Sequence, residues 1–308
     1  MMTSHSGRKY SKKLGFMPNP AVAREIAGLD AQADCQRIVY LLTAYEFPWD
    51  ITRSLEVALF YTYASDTVSK LLDRTREFQD HGQKRYDDTR LLIAHFMESG
   101  WDGDVGRRAL ARINQTHGNY RIPQDDFLFV LWTFIEFPMR WTSEFSWRPM
   151  TAHEQNAWFN FWCEIGRRMG LVGIPESKQA FDAFVQAYGE RHFVPDDASA
   201  RVAEATLAIV RAWLPPPLKG LVAPAVASLI DEPAFLAAVK LKPAPVLMRK
   251  IVRHSLKALA GMKRVIVMGG YPTLLADAPN RTYPGNRYEI EALEPAHLQQ
   301  RKKRAPRP

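Results

Sequence analysis

Apolar residues recur along most of this chain at spacings of three and four, the period of one helix face, and no series of short alternating runs punctuated by Asn-Gly or Asp-Gly is present. An all-α fold is expected. The pattern predicts helices over Pro20 to Ala31 and Asp34 to Thr43, then one long helix from Asp50 to Arg76 with Leu55, Leu59, Ala64, Val68 and Leu71 on one face. Gln83 to Glu98 is expected to stop at Gly100, and Asp104 to Thr116 at Gly118 in a left-handed cap. Gln124-Asp125-Asp126 puts acids at a helix start, where the dipole favours them. The run that follows is apolar almost all round, so this helix should be central, with Pro138 kinking or ending it. Thr151 to Glu154 reads as a capping box opening a helix to Met169, stopped by Gly170. The remaining helices are expected over Lys178 to Gly189, Ala198 to Trp213, Leu218 to Leu229, Glu232 to Val239 and Pro245 to Leu259.

Pro215-Pro216-Pro217 is a rigid connector, but the hydrophobic pattern resumes directly after it. With no internal repeat, the reading is one all-α domain over residues 19–292 between basic tails at 1–18 and 293–308. The 308 residues, 46% hydrophobic and 24% charged, suffice for a large core with an interior cavity. Much of the net charge of +8 lies in Arg8-Lys9, Lys12-Lys13 and Arg301-Lys302-Lys303-Arg304, so the body is closer to neutral. Those tails are compatible with loose contact to an anionic membrane. Two cysteines, Cys35 and Cys163, cannot build a disulfide framework, and no signal-peptide pattern opens the chain, so a reducing, cytoplasmic setting is expected. The longest apolar run, Phe127 to Ile135, is far short of the ~20 residues a spanning helix needs.

Within segments that otherwise read as buried helix stand Arg85-Tyr86-Asp87-Asp88-Thr89 and Asn114-Gln115-Thr116-His117-Gly118-Asn119-Tyr120-Arg121. Buried titratable groups are costly unless they are paired or bound to something. Arg85, Asp88 and Thr89 stand at i, i+3 and i+4, so they share a helix face with Leu92 and can point into one pocket. An arginine beside a hydroxyl is a donor pair for bound oxygen or a carboxylate; the same spacing also fits an ion-paired helix start. His117 closes an amphipathic helix between Arg112 and Arg121, which suits either a structural ring or a metal ligand with cations nearby for carboxylates such as haem propionates. The aromatic stretch from Trp132 to Trp162 would line an apolar cavity or fill a core. Among the other histidines, His95, His192 and His254 also fall where a ligand could stand.

Several chemistries are excluded. His153-Glu154 has Ala157 where a zinc protease needs its second histidine. A di-iron bundle needs two Glu-x-x-His pairs, and only Glu294-x-x-His297 occurs. Cys163 reads as a small apolar filler rather than a haem thiolate. No Gly-x-Gly-x-x-Gly or phosphate loop occurs, and no basic stripe interleaved with aromatics supports a nucleic-acid partner.

Taken in order, Lys84 to Thr89, Asn114 to Tyr120, Asp125-Asp126-Phe127-Leu128, Glu136 to Trp141, Trp147 to Thr151, Phe161 to Gly170 and Ile174 to Ser177 resemble a known family. It holds the fungal MpaB-type oxygenases and the bacterial latex-clearing proteins, the rubber oxygenase catalytic domain, and the resemblance covers roughly residues 35–290. It implies a globin-like helical fold around one haem b, with His117 as proximal iron ligand. In the latex-clearing branch an arginine, a lysine at i+3 and a threonine at i+4 line the distal side; here those places hold Arg85, Asp88 and Thr89. An aspartate cannot supply that lysine's amine ligand. The arginine three before the proximal histidine in that branch is Asn114 here, while Arg121 remains. No residue is assigned to that branch's proposed catalytic glutamate.

The resemblance thus implies a haem b oxygenase that takes dioxygen opposite His117 and an apolar, isoprenoid- or lipid-like, substrate. Arg85 and Thr89 would polarise the oxygen, with Asp88 orienting them or relaying protons. Arg121, with Arg249 or Arg253 on an apolar helix, would hold the propionates. The alternative is a non-catalytic haem or hydrophobic-ligand binder in which Arg85 and Asp88 merely pair.

Overall fold

The computed structural model describes residues 15–16, 18–269 and 271–304, so the N-terminal cations Arg8, Lys9, Lys12 and Lys13 lie outside the described residues. The fold is all-α. Its helices are α1 (Pro20–Ala27), α2 (Cys35–Leu41), α3 (Pro48–Tyr61), α4 (Asp66–Thr75), α5 (Glu77–Ser99), α6 (Asp104–His117) and α7 (Gln124–Phe145). They continue with α8 (Ala152–Arg168), α9 (Lys178–His192), α10 (Asp197–Ala212), α11 (Val222–Leu229), α12 (Pro233–Ala238), α13 (Val246–Val265) and α14 (Ala296–Arg304). Among the described residues the strands are a two-residue antiparallel pair, β1 (Gly15–Phe16) against β2 (Ile266–Val267).

The centre is α7, packed by α3, α8 and α9, as its nearly continuous apolar character requires. Pro138 does not end it. A proline in a helix leaves the carbonyl four residues earlier without its amide donor, and here that oxygen, on Phe134, accepts the Trp158 indole N–H at 3.0 Å. The helix therefore continues to Phe145 with that group satisfied. Thr151 forms the expected capping box: its hydroxyl accepts from the Glu154 amide, and the Glu154 carboxylate accepts from the Thr151 amide at 2.7 Å.

Three expectations change. The long helix from Asp50 to Arg76 is two, because Ser65 adopts an extended conformation and caps α4 by accepting from the Val68 amide, after a 3-10 turn at Thr62–Ala64. Gly118 ends α6 with φ −60°, an ordinary right-handed conformation, whereas Gly100 after α5 and Gly170 after α8 have the positive φ that favours glycine. The domain limit expected at residue 292 moves, since Leu293, Glu294, Ala296 and Leu298 are buried and α14 packs on α5.

Candidate active site

Helices α4 to α7 each turn one face toward a common apolar cavity of about 240 Å³, many times the space a single water needs. The lining positions follow helical spacing: Val68, Leu71, Leu72 and Thr75 from α4; Arg85, Asp88, Thr89, Leu92 and Phe96 from α5; Ile113, Thr116 and His117 from α6; and Phe127, Val130, Leu131 and Phe134 from α7. Trp162 of α8 stacks on Phe134 with centroids 4.8 Å apart, so part of the aromatic run lines the cavity while Trp158 and Phe161 are core. Leu293, Glu294 and Pro295 contribute a last piece of wall from the C-terminal segment.

Arg85, Asp88, Thr89 and His117, four residues singled out from sequence, thus meet on one cavity. His117 is half-buried and lines the cavity, with Phe127 edge-on at 5.3 Å. Burial, with the Arg85 charge adding to it, pushes its pKa down to about 4, so the ring is neutral near pH 7. Its Nδ1 is buried without a hydrogen-bond partner among the described residues, a state that costs on the order of 1–3 kcal/mol. His95, His192 and His254 differ, being bonded respectively to Tyr288, Asp66 and the Lys250 carbonyl. Among the described residues no group of three or more His, Cys, Asp or Glu converges as a metal centre.

Arg85 lies over the Phe78 ring and donates to the Thr89 hydroxyl, with no carboxylate partner among the described residues. It does not pair with Asp88. That carboxylate takes the Lys84 ammonium at 2.5 Å and the Tyr283 hydroxyl at 2.5 Å, while Lys84 also reaches the Glu294 carbonyl at 2.7 Å. Burial pushes the Asp88 carboxyl above its ordinary range, against the pull of Lys84 and Tyr283. Nearby, Arg112 and Glu294 form an ion pair at 2.5 Å. Glu77 accepts from the Ala296 and His297 amides and meets the His297 ring at 2.6 Å.

A family model described as "ER-bound oxygenase mpaB/B'/Rubber oxygenase, catalytic domain" matches residues 57–258, more than half of the chain. The chain belongs to this family. The ER-bound oxygenase mpaB of Penicillium roqueforti (strain FM164) is 29% identical over 188 residues, covering 55% of this chain and 63% of that protein. The ER-bound oxygenase mpaB' of Penicillium brevicompactum is 30% identical over 188 residues, covering 55% and 44%. The mpaB protein of the same organism is 30% identical over 183 residues, covering 54% and 47%. The chain therefore spans less than two thirds of the length of these curated relatives. Within this oxygenase family match fall Arg85, Asp88, Thr89 and His117; the segment from Tyr271 onward lies beyond it.

The cations expected at the rim are elsewhere. Arg121 is exposed and does not line the cavity. On α13, Arg249 pairs with Asp231 and Arg253 with Glu144, also away from the cavity. An arginine on an apolar helix carries no signal of which way it points, and acids on neighbouring elements answer both. Cys163 is buried outside the cavity lining, and burial pushes its thiol up to about 12, as suits an apolar filler. Sequence reasoning missed Lys84, Glu77 and Glu294. Lys84 was signalled by its i, i+4 spacing to Asp88; Glu77 and Glu294 find partners across roughly two hundred residues and had no local signal.

Proposed function

We propose that this chain is a haem b-dependent oxygenase acting on an apolar, isoprenoid- or lipid-like substrate. What supports the reading is the His117 ring: neutral, lining an apolar cavity, and, among the described residues, unpartnered at Nδ1 and beside an arginine without a carboxylate. A neutral imidazole that lines an apolar cavity could hold a haem iron, which needs the uncharged ring. The relatives named as oxygenases fit the same class of chemistry. A haem bound there would supply the redox chemistry that activates dioxygen.

The chain's own side chains then have distinct tasks. His117 would hold the iron. Arg85 is a fixed cation in a low-dielectric cavity, able to stabilise negative charge on an oxygen species or to hold one propionate. Its N–H to the Thr89 oxygen leaves the Thr89 hydroxyl proton directed to the Arg85 carbonyl, so the two residues form one pre-set unit. Asp88, clamped by Lys84 and Tyr283, acts as a buried acid linking the cavity wall to the C-terminal segment rather than as a partner of Arg85. Leucine, isoleucine and aromatic side chains exclude water and suit an apolar substrate.

Two measurements test this. Titration of purified protein with haem should give a saturable Soret band that His117→Ala shifts or abolishes. Oxygen uptake with a panel of unsaturated lipids and terpenoids should exceed that of free haem and fall by about 10²-fold in Arg85→Ala, the scale of losing one oxyanion-type donor. A haem complex with no uptake on any of them would leave only a binding role.

A further inference from the structure

Helix α13 carries six cations, Arg249, Lys250, Arg253, Lys257, Lys263 and Arg264, and no acid. Three are neutralised by the body: Arg249 by Asp231, Arg253 by Glu144 and Lys263 by Asp50. Among the described residues Lys250 and Lys257 have no ion-pair partner, and Arg264 has no carboxylate partner, donating to the Trp147 carbonyl. These three are seven apart, so they form one rail along the helix.

Beside that rail runs an apolar stripe that faces outward. Leu247 is 70% exposed, Ile251 53%, Met262 50% and Val265 52%. At 100° per residue the four fall within a sector of about 60°, and Lys250, Lys257 and Arg264 follow on one flank, roughly 60–100° away. Ala260 is the one buried residue of the helix, which packs on α11 and α7 with its opposite face. Ile266 and Met268 extend the exposed apolar surface past the helix end. Large outward aliphatic groups are not what a surface helix needs for its own stability.

We infer that the outer face of α13 is a membrane-contact surface, lying in the interface of a bilayer that contains anionic phospholipid. Aliphatic side chains would enter the acyl boundary while the cation rail meets lipid phosphates, the pattern of an interfacial amphipathic helix. No helix among the described residues is long and apolar enough to cross a membrane, so this contact is parallel to the surface. A second copy of the chain is a poorer occupant, because pairing this face with itself would set like charges against each other. The inference is independent of the haem reading.

The test is co-sedimentation of the full chain with vesicles of phosphatidylcholine alone and of phosphatidylcholine with about 30% phosphatidylserine at about 0.15 M salt. Binding should require phosphatidylserine. Lys250→Glu and Lys257→Glu should each weaken it by about fivefold or more, the equivalent of about 1 kcal/mol per cation removed. Leu247→Glu with Ile251→Glu should weaken it at least tenfold with unchanged circular dichroism and melting temperature. A full-length variant with Arg8, Lys9, Lys12 and Lys13 changed to Gln should still bind and still depend on Ile251. The inference is overturned if the chain ignores the vesicles, if the Leu247/Ile251 variant binds like the parent, or if that variant instead abolishes self-association seen by light scattering.

Discussion

Replacing Arg112 by methionine removes a cation that is 4% exposed and leaves the carboxylate of Glu294, 6% exposed, without it. Solvent screening is small at such burial, so the expected cost is that of breaking a buried pair from one side, about 3–5 kcal/mol. Arg112 also donates to Gln115 at 3.1 Å and Thr116 at 3.3 Å, and loss of these adds to the upper part of that range. Glu294→Gln should cost a similar amount by stranding the guanidinium. The double variant Arg112→Met/Glu294→Gln should be destabilised by less than the sum, with a coupling of at least about 1 kcal/mol. Because Leu293, Glu294 and Pro295 line the cavity, the single variants should also loosen that wall and expose residues 271–301 to protease. Urea unfolding of the four proteins measures the cycle. Single-variant costs below about 1 kcal/mol, or additivity within about 0.5 kcal/mol, would refute the reasoning that this pair fastens the C-terminal segment.

Further outcomes follow from particular contacts. Burial pushes Glu98 from its ordinary 4.5 up to about 7 although it accepts from the Leu275 and Ala276 amides. The folded state therefore favours the proton: this stabilisation, about 3 kcal/mol, is complete below about pH 4.5 and is lost as pH rises through about 7. Unfolding free energy measured from pH 4.5 to 8 should fall less in Glu98→Gln than in the parent, and parallel curves would sink the assignment. Gly106 sits where α6 meets the end of α5, and an added Cβ would lie 1.9 Å from the Gly100 carbonyl oxygen, so Gly106→Ala should cost about 3 kcal/mol or more by thermal unfolding. Gly261 in α13 has nothing within 4 Å of such a Cβ, and Gly261→Ala should stabilise by about 0.5–1 kcal/mol. Equal effects at the two glycines would contradict the packing described.

The helices and the face that carries Arg85, Asp88 and Thr89 were legible because both follow from a local period. His117 and these three share a cavity since α5 and α6 pack side by side with those faces inward. The break at Ser65 went unread: a serine followed by aspartate is a capping signal, but it lay inside an apolar run whose period passes through a 3-10 turn with little change. The C-terminal segment was not legible. Its residues read as a polar, basic tail, and what fixes them is Arg112 to Glu294, 182 residues apart, and Glu77 to His297, 220 apart. Such pairings are set by tertiary packing and leave no trace at short spacing. The same limit explains Arg249 and Arg253, whose acid partners lie on other elements.

The most direct measurement is the visible spectrum of the purified chain titrated with haem b, alongside His117→Ala and Arg85→Ala. The account predicts a one-to-one Soret transition in the parent, its loss or a marked shift in His117→Ala, and a Soret band at the parent's position in Arg85→Ala. A spectrum indifferent to His117 would contradict the account at its centre.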